Sequence, residues 1–335
     1  MHFKRGKVGF TMTEKHFKQG EVIFREGEQG ESLYYVVEGS VGIYAAYGEA
    51  GEQLLTTLKK DDCFGEMAVI EAYPRSATAV ALDPVTAFEV SSGEINEYFK
   101  KEPEMVTEIM RHLSSRIREL TKDYTEVSAT IEELTPGDSS ARSESLLERI
   151  RKFAKVASSR KSVSNIESVE SARRITAVAH SEGYTGSVES FSKGTVIFKE
   201  GETGNCMYDI HYGTVGIYKG YGTADEKLLT KLSTNNFFGE MGMLDAERRS
   251  ATAVVLEDNT TLETITAKDL KDLFEKNPPK LEMIMAHMSY RLRKLTNEYV
   301  KACKLVYDLS EAEASGNVSD EIKDKADNYQ ASFYD

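Results

Sequence analysis

The hydrophobic positions of this chain run first at a strand period and then at a helix period, and the chain passes through that order twice. In the first pass, short apolar runs alternate with glycine turns. Leu33–Val37 ends at Glu38-Gly39, the run from Val41 to Tyr47 ends at Gly48, and Leu54–Leu58 ends in the polar stretch Lys59–Asp62. Ala77–Leu82 and Thr86–Val90 follow. Short strands at regular spacing with turn signals between them predict a small β-barrel or roll. The period then changes. Val106, Met110, Leu113, Ile117, Leu120, Tyr124, Val127, Ile131 and Leu134 alternate spacings of four and three. Leu281, Met285, Met288, Leu292, Leu295, Tyr299, Ala302, Val306 and Leu309 do the same. Each stripe predicts a long helix, near 106–134 and 281–309, with a coiled-coil seam. A helix laid on its own roll needs only the first two turns of such a stripe, so the full length predicts a helical partner.

Between the two passes, Pro136-Gly137-Asp138-Ser139-Ser140 ends the first helix. Leu146, Ile150, Phe153 and Ala157 mark a short amphipathic helix. Ser158–Ser171 reads as a polar linker, and Arg173–Ala179 adds a helical turn. The stretch from Ser139 to His180 holds nine Lys/Arg against four Asp/Glu, so it is locally basic. The tail from Glu311 onward is acidic.

The two passes are an internal repeat. Phe64–Val80 recurs 174 residues on as Phe238–Val254, with eleven of 17 positions identical. Val22–Gly30 answers Val196–Gly204, and Val41–Tyr44 answers Val215–Tyr218. After the Arg the offset becomes 175, and His112-Leu113-Ser114 answers His287-Met288-Ser289. Each copy is therefore a whole domain of about 110 residues, the size of one compact unit. The expected organisation is a first domain with its long helix over 1–135, a partly helical basic linker over 136–187, a second domain with its helix over 188–310, and an acidic tail over 311–335.

Composition narrows the function classes. A net charge of −13 argues against nucleic acid as a partner, because phosphate binding needs a basic face. Three unpaired cysteines (Cys63, Cys206, Cys303) suggest free thiols in a reducing compartment, with neither zinc nor a disulfide framework. No stretch has the apolar length of a membrane span, and no apolar run follows the basic start. Cytoplasmic location is the expectation. No Ser/His/Asp or paired-carboxylate constellation stands outside the repeats, so no catalytic residue and no enzyme activity is expected. His211 reads as a lone packed or surface histidine on a strand, and no metal site is expected.

The repeated segment carries the chemistry. Each copy keeps one carboxylate and one guanidinium nine residues apart, Glu66 with Arg75 and Glu240 with Arg249. The Gly after an aromatic ends a strand and lets the backbone approach a ligand. Glu66–Val69 can form one helical turn, whose free amides favour an anion. Arg75 supplies a fixed fork for phosphate oxygens. Glu66 can accept hydrogen bonds from vicinal sugar hydroxyls or pair with the Arg, and Ser76 adds a hydroxyl beside it. A ligand presenting one phosphate and one ribose hydroxyl together satisfies the set, and a cyclic nucleotide has that shape. The competing reading is a buried Glu–Arg ion pair that only holds the roll.

At these residues the chain resembles the cyclic nucleotide-binding domain family, which includes regulatory subunits of cyclic-AMP-dependent protein kinase, catabolite activator-type regulators and nucleotide-gated channels. The resemblance covers about residues 16–125 and 190–300. It implies two eight-stranded β-rolls (double-stranded β-helices), each followed by a long helix, a mixed β-roll plus α fold. It implies that Glu66 and Glu240 hold the ribose 2′-hydroxyl and that Arg75 and Arg249 hold the cyclic phosphate. The backbones of Gly65, Met67, Ala68 and Ala77, and of Gly239, Met241, Gly242 and Ala251, would line the pockets. Ser76 and Ser250 sit where cyclic AMP and cyclic GMP binders differ, so the base stays open, with cyclic AMP favoured. The helix after the roll usually closes over the base, which makes Thr121 and Thr296 candidate base contacts, or else solvated helix residues.

The resemblance implies a non-enzymatic sensor with a cyclic nucleotide ligand, no other cofactor, and output to an unidentified protein partner. No helix-turn-helix follows either seam, so no DNA contact is expected. Arg173-Arg174-Ile175-Thr176-Ala177 is similar to the inhibitory segment of kinase regulatory subunits, though it lies between the repeats rather than ahead of them. A kinase-type regulatory subunit is thus one alternative, and a scaffold whose rolls bind another small ligand or none is a second. Activator-type proteins dimerise through the helices after their rolls. Here the helix near 106–134, about 45 Å long at helical rise, can pair with the one near 281–309 in a monomeric pseudo-dimer; a homodimer is the alternative.

Overall fold

The fold comes from a computed structural model that describes residues 13–49, 52–71, 74–94, 103–134, 144–159, 187–244, 247–315, 319–327 and 329. The chain divides into two compact units, one of residues 1–47 and 54–106 and the other of residues 48–53 and 107–335.

The first unit is a roll of eight strands: β1 (Thr13–Phe17), β2 (Val22–Phe24), β3 (Ser32–Glu38), β4 (Val41–Ala45), β5 (Gln53–Leu58), β6 (Cys63–Phe64), β7 (Thr78–Ala81) and β8 (Val85–Ser91). A short helix, α1 (Glu66–Glu71), stands between β6 and β7. The strands form two four-stranded sheets, β1-β8-β3-β6 and β2-β7-β4-β5. Alternating positions of both sheets turn inward, and Val36, Val41, Phe64, Ala79, Val85 and Ala87 form one buried cluster. The apolar run expected to reach Tyr47 stops as a strand at Ala45, because Ala46 takes a positive φ of 50° and Gly48 one of 77°.

A 32-residue helix, α2 (Pro103–Leu134), begins at the end of the first unit and runs on into the second. The next helix, α3 (Glu144–Ser159), buries Leu146, Ile150 and Phe153, the stripe expected from the sequence. The second roll repeats the first with β9 (Ser187–Phe191), β10 (Val196–Phe198), β11 (Cys206–Tyr212), β12 (Thr214–Lys219), β13 (Lys227–Ser233), β14 (Phe237–Phe238), α4 (Glu240–Leu244), β15 (Thr252–Val255) and β16 (Thr260–Thr266). Its sheets, β14-β11-β16-β9 and β10-β15-β12-β13, match those of the first roll. Three helices follow: α5 (Ala267–Lys276), α6 (Pro278–Ala314) and α7 (Asp320–Asp327). A capping box at Thr266 and Asp269 starts α5, a feature that stabilises a helix by about 1 kcal/mol. The prolines at 278 and 279 fit the first turn of α6, where their missing amide donors have no intrahelical partner.

The predicted seams are buried. In α2 every seam position except the half-buried Leu120 is buried, and in α6 all nine are. Ile284, Ser289 and Cys303 of α6 are fully buried as well, so that helix hides a wider stripe than a two-stranded seam requires. One reason is α3, which packs along α6 and sets Phe153 edge-on to Tyr299. The same α3 is tied to α2 through Arg149 with Glu133 and through Lys152 with Asp123 and Glu126. The linker from 160 to 186, including Arg173–Ala177 and the helical turn expected over Arg173–Ala179, lies outside the described residues.

His211 is not the lone histidine that the sequence suggests. Antiparallel pairing sets Asp209 of β11 opposite Glu263 of β16, and both are fully buried. His211 Nε2 lies 2.8 Å from Glu263 and 3.3 Å from Asp209. Lys280, from the first turn of α6, reaches both carboxylates at 2.5 and 2.9 Å. Two anions meet two cations, so the cluster is charge-balanced from within the chain when the imidazole is protonated. The two carboxylates push His211 up to about 9, which keeps it protonated at neutral pH.

Candidate functional site

Each roll builds the site from the same four pieces. In the first, β6 ends at Phe64, and Gly65 takes φ +80°, which turns the chain into α1 with Glu66 at its first position. A side chain at Gly65 would meet Arg75 Nη1 at 2.7 Å, so glycine is required both by conformation and by the approach of the guanidinium. Arg75 is fixed at its backbone, where its amide donates to Glu28 and its carbonyl accepts from Gly27. Its Nη1 donates to Gly65 O and its Nη2 to Ser32 O, both at 2.7 Å. The guanidinium lies over Phe24, 4.2 Å from the ring centroid. Phe24 belongs to an aromatic trio in which Tyr34 stacks on Phe64. Burial lowers the Arg75 pKa, while Tyr34 and the carboxylates of Glu66, Glu28 and Glu89 act against it.

The second site repeats this to the atom. Gly239 has φ +80°, and a side chain there would meet Arg249 Nη1 at 2.6 Å. Arg249 exchanges backbone hydrogen bonds with Glu202 and Gly201. Its Nη1 donates to Gly239 O and its Nη2 to Cys206 O, the latter at 2.8 Å. It stands 4.1 Å above Phe198, which sits beside the Tyr208–Phe238 stack. In both copies the arginine Nε is buried and has no hydrogen-bond partner.

These hydrogen bonds bear on the competing reading from the sequence. Arg75 and Arg249 spend Nη donors on carbonyls, not on the glutamates. The partner of Glu240 is Arg291 of α6, a buried ion pair at 2.5 Å. The guanidinium–carboxylate set is therefore not a self-contained pair that merely staples the roll. Glu66 and Glu240 are each 3% exposed, so both carboxylates sit inside.

The predicted residues come together in each copy. Gly65, Glu66, Met67 and Ala68 lead into and through the first turn of α1, and Arg75, Ser76 and Ala77 precede β7. The Ser76 hydroxyl lies 3.9 Å from Met67 Sδ. In the second copy, Gly239, Glu240, Met241, Gly242, Arg249, Ser250 and Ala251 all line one small pocket, joined by Phe198, Ile217, Phe238 and Arg291. Thr121 and Thr296 bond back into their own helices, to Ile117 O and Leu292 O, each at 2.7 Å.

Sequence reasoning missed three kinds of residue here. The first is Arg291; its signal was available, because the repeat places Arg116 at the matching position of the first copy. The second is the phenylalanine under each guanidinium, Phe24 and Phe198, which the repeated Val-Ile-Phe strand carries. The third is a pair of arginines on α2, Arg111 and Arg118, which reach the second site and have no local sequence signal.

The cyclic nucleotide-binding domain family matches residues 14–102 and 188–277. A CRP-like cAMP-activated global transcriptional regulator of Mycobacterium tuberculosis is 30% identical over 102 residues, which is 30% of this chain and 46% of that protein. A cAMP-dependent protein kinase regulatory subunit of Debaryomyces hansenii is 38% identical over 82 residues, 24% of this chain and 17% of that one. The chain thus spans less than half the length of these relatives. Among solved structures, the regulatory domain of Toxoplasma gondii PKA with cAMP aligns over 86% of each chain at 19% identity and a TM-score of 0.26. With two matches that together span more than half its length, one on each roll, the chain belongs to the cyclic nucleotide-binding domain family.

Proposed function

We propose that this chain is a non-enzymatic sensor that binds one cyclic nucleotide in each roll. The observation that carries the reading is the state of Arg249. It is buried, held to two carbonyls and an aromatic face, and keeps a donor to spare beside a buried carboxylate. Such a preorganised cation suits a cyclic phosphate, and Glu240 suits the ribose hydroxyl next to it. Arg75 and Glu66 take the same roles in the first roll, and the backbones from Gly65 and Gly239 onward line the ligand. Cyclic AMP is the favoured ligand, with cyclic GMP the alternative at Ser76 and Ser250. Thr121 and Thr296 serve as base contacts if their hydroxyls exchange the helix carbonyl for the base.

Output runs to a protein partner in the cytoplasm through the long helices, α2 and α6 pairing within one chain. Among the described residues, no helix is long and apolar enough to cross a membrane. The acidic net charge gives no reason to invoke DNA. Calorimetry with cyclic AMP, cyclic GMP and adenosine tests the reading: binding of a cyclic nucleotide at two sites and none of adenosine is expected. Failure of both cyclic nucleotides to bind overturns it. Light scattering should give the mass of a monomer, and a stable homodimer would count against intramolecular pairing.

A second reading, a kinase-type regulatory subunit, draws on the match to the yeast kinase subunit and on Arg173–Ala177. It requires that a kinase catalytic chain bind in the absence of nucleotide and be released on its addition.

A further inference from the structure

The second site is gripped from outside by a helix that belongs, in chain order, to the first repeat. Arg118 of α2 donates through Nη2 to Met241 O at 3.1 Å and through Nη1 to Arg248 O at 3.4 Å. Met241 directly follows Glu240, and Arg248 directly precedes Arg249. A single guanidinium thus bridges both ends of the segment that carries the two ligand-facing charges. Arg111, two helical turns earlier on the same face of α2, donates through Nε to Leu244 O at 3.2 Å. Three carbonyls between 241 and 248 are held by two arginines.

The carbonyls need such partners. A helix leaves its last four carbonyls without intrahelical donors, and α4 has only five residues. Cations are favoured there by the helix dipole. Hydrogen bonds from charged donors are the stronger kind.

From these contacts we infer that Arg111 and Arg118 are positioning residues for the second nucleotide site, setting its affinity from α2. The inference rests on the function proposed above. The arrangement is not reciprocal in sequence. The repeat offset carries position 118 to Arg293 but position 111 to Ala286, so α6 lacks the pair of arginines that α2 uses.

The test isolates the second site by using the full chain with Arg75→Ala as parent and titrating cyclic AMP by calorimetry. Adding Arg111→Ala and Arg118→Ala should weaken binding about tenfold or more, a loss in keeping with two or three charged hydrogen bonds. Arg118→Lys in place of Arg118→Ala should recover part of that loss. In a chain carrying Arg249→Ala, where only the first site remains, the same pair should leave the intrinsic affinity within about twofold. Amide exchange over the second roll separates loss of grip from loss of fold: protection should fall at 240–244 and persist in β11 and β16. Unchanged second-site affinity, or an equal loss at both sites, overturns the inference while the nucleotide reading stands. No binding to the Arg75→Ala parent overturns the nucleotide reading and the role of the clamp with it.

Discussion

A chain carrying both Arg75→Ala and Arg249→Ala should bind no cyclic nucleotide, while each single variant keeps one site. Within a site the loss has two sources. The ligand loses a permanently charged partner for its phosphate. The site also loses its internal bracing, because the Arg249 guanidinium joins Gly239 O to Cys206 O across the ring of Phe198. A charged hydrogen bond contributes about 1.5–3 kcal/mol and the cation–π contact about 0.5–2 kcal/mol. Together these put the expected loss at or above about a thousandfold per site. Arg249→Lys is not a mild change, since one ammonium cannot span two carbonyls and a phosphate from the same stem. The measurement is titration of each single variant and the double variant, with thermal unfolding as the control for the bracing. Nucleotide binding that survives in the double variant would remove the basis for the proposed function.

How far the sequence alone carried this reading depends on the range of each interaction. The strands and the long helices follow from local periodicity, and Gly65 and Gly239 from their place after an aromatic at a strand end. Glu66, Arg75 and their counterparts were visible because the chain writes them twice at a fixed spacing. The partner of Glu240 was not visible, because Arg291 lies 51 residues away and reaches the site only when α6 lies against the roll. The Arg118 contacts span 123 and 130 residues, and nothing in the repeat places α2 beside the second cassette. His211 was misread for the same reason. Residues 209, 211, 263 and 280 meet through one strand pairing and one helix turn, neither of which a window around His211 contains. The first repeat hid the cluster as well, since at the matching positions it holds Tyr35, Val37, Phe88 and Met105.

That difference between the repeats sets up the second large effect. Lys280→Met should destabilise the second unit by about 3–5 kcal/mol, because it leaves Asp209 and Glu263 fully buried with His211 as the remaining cation of the cluster. Converting all four positions to the residues of the first repeat, with Asp209→Tyr, His211→Val, Glu263→Phe and Lys280→Met, should cost far less. An apolar cluster avoids the desolvation that the ionic one must offset, and the first roll already accommodates these side chains.

The pH dependence separates the two variants further. His211 is raised to about 9 by hydrogen bonds to Asp209 and Glu263, against an ordinary value near 6.5. Its stabilisation is fully present below about pH 6.5 and is lost as pH rises toward 9, because the folded state then holds a proton that the unfolded state has released. His287 of α6 moves the other way. Burial and Arg291 lower it to about 4, so its contribution is present above about pH 6.5 and fades as pH falls toward 4. The unaltered protein should therefore lose stability on the alkaline side through His211. The four-residue replacement should lose that alkaline slope and keep the acid slope of His287. Chemical denaturation between pH 5 and about pH 9 reads both slopes. An alkaline slope that persists without His211, or a Lys280→Met variant as stable as the parent, would show that the buried cluster does not hold α6 to the second roll.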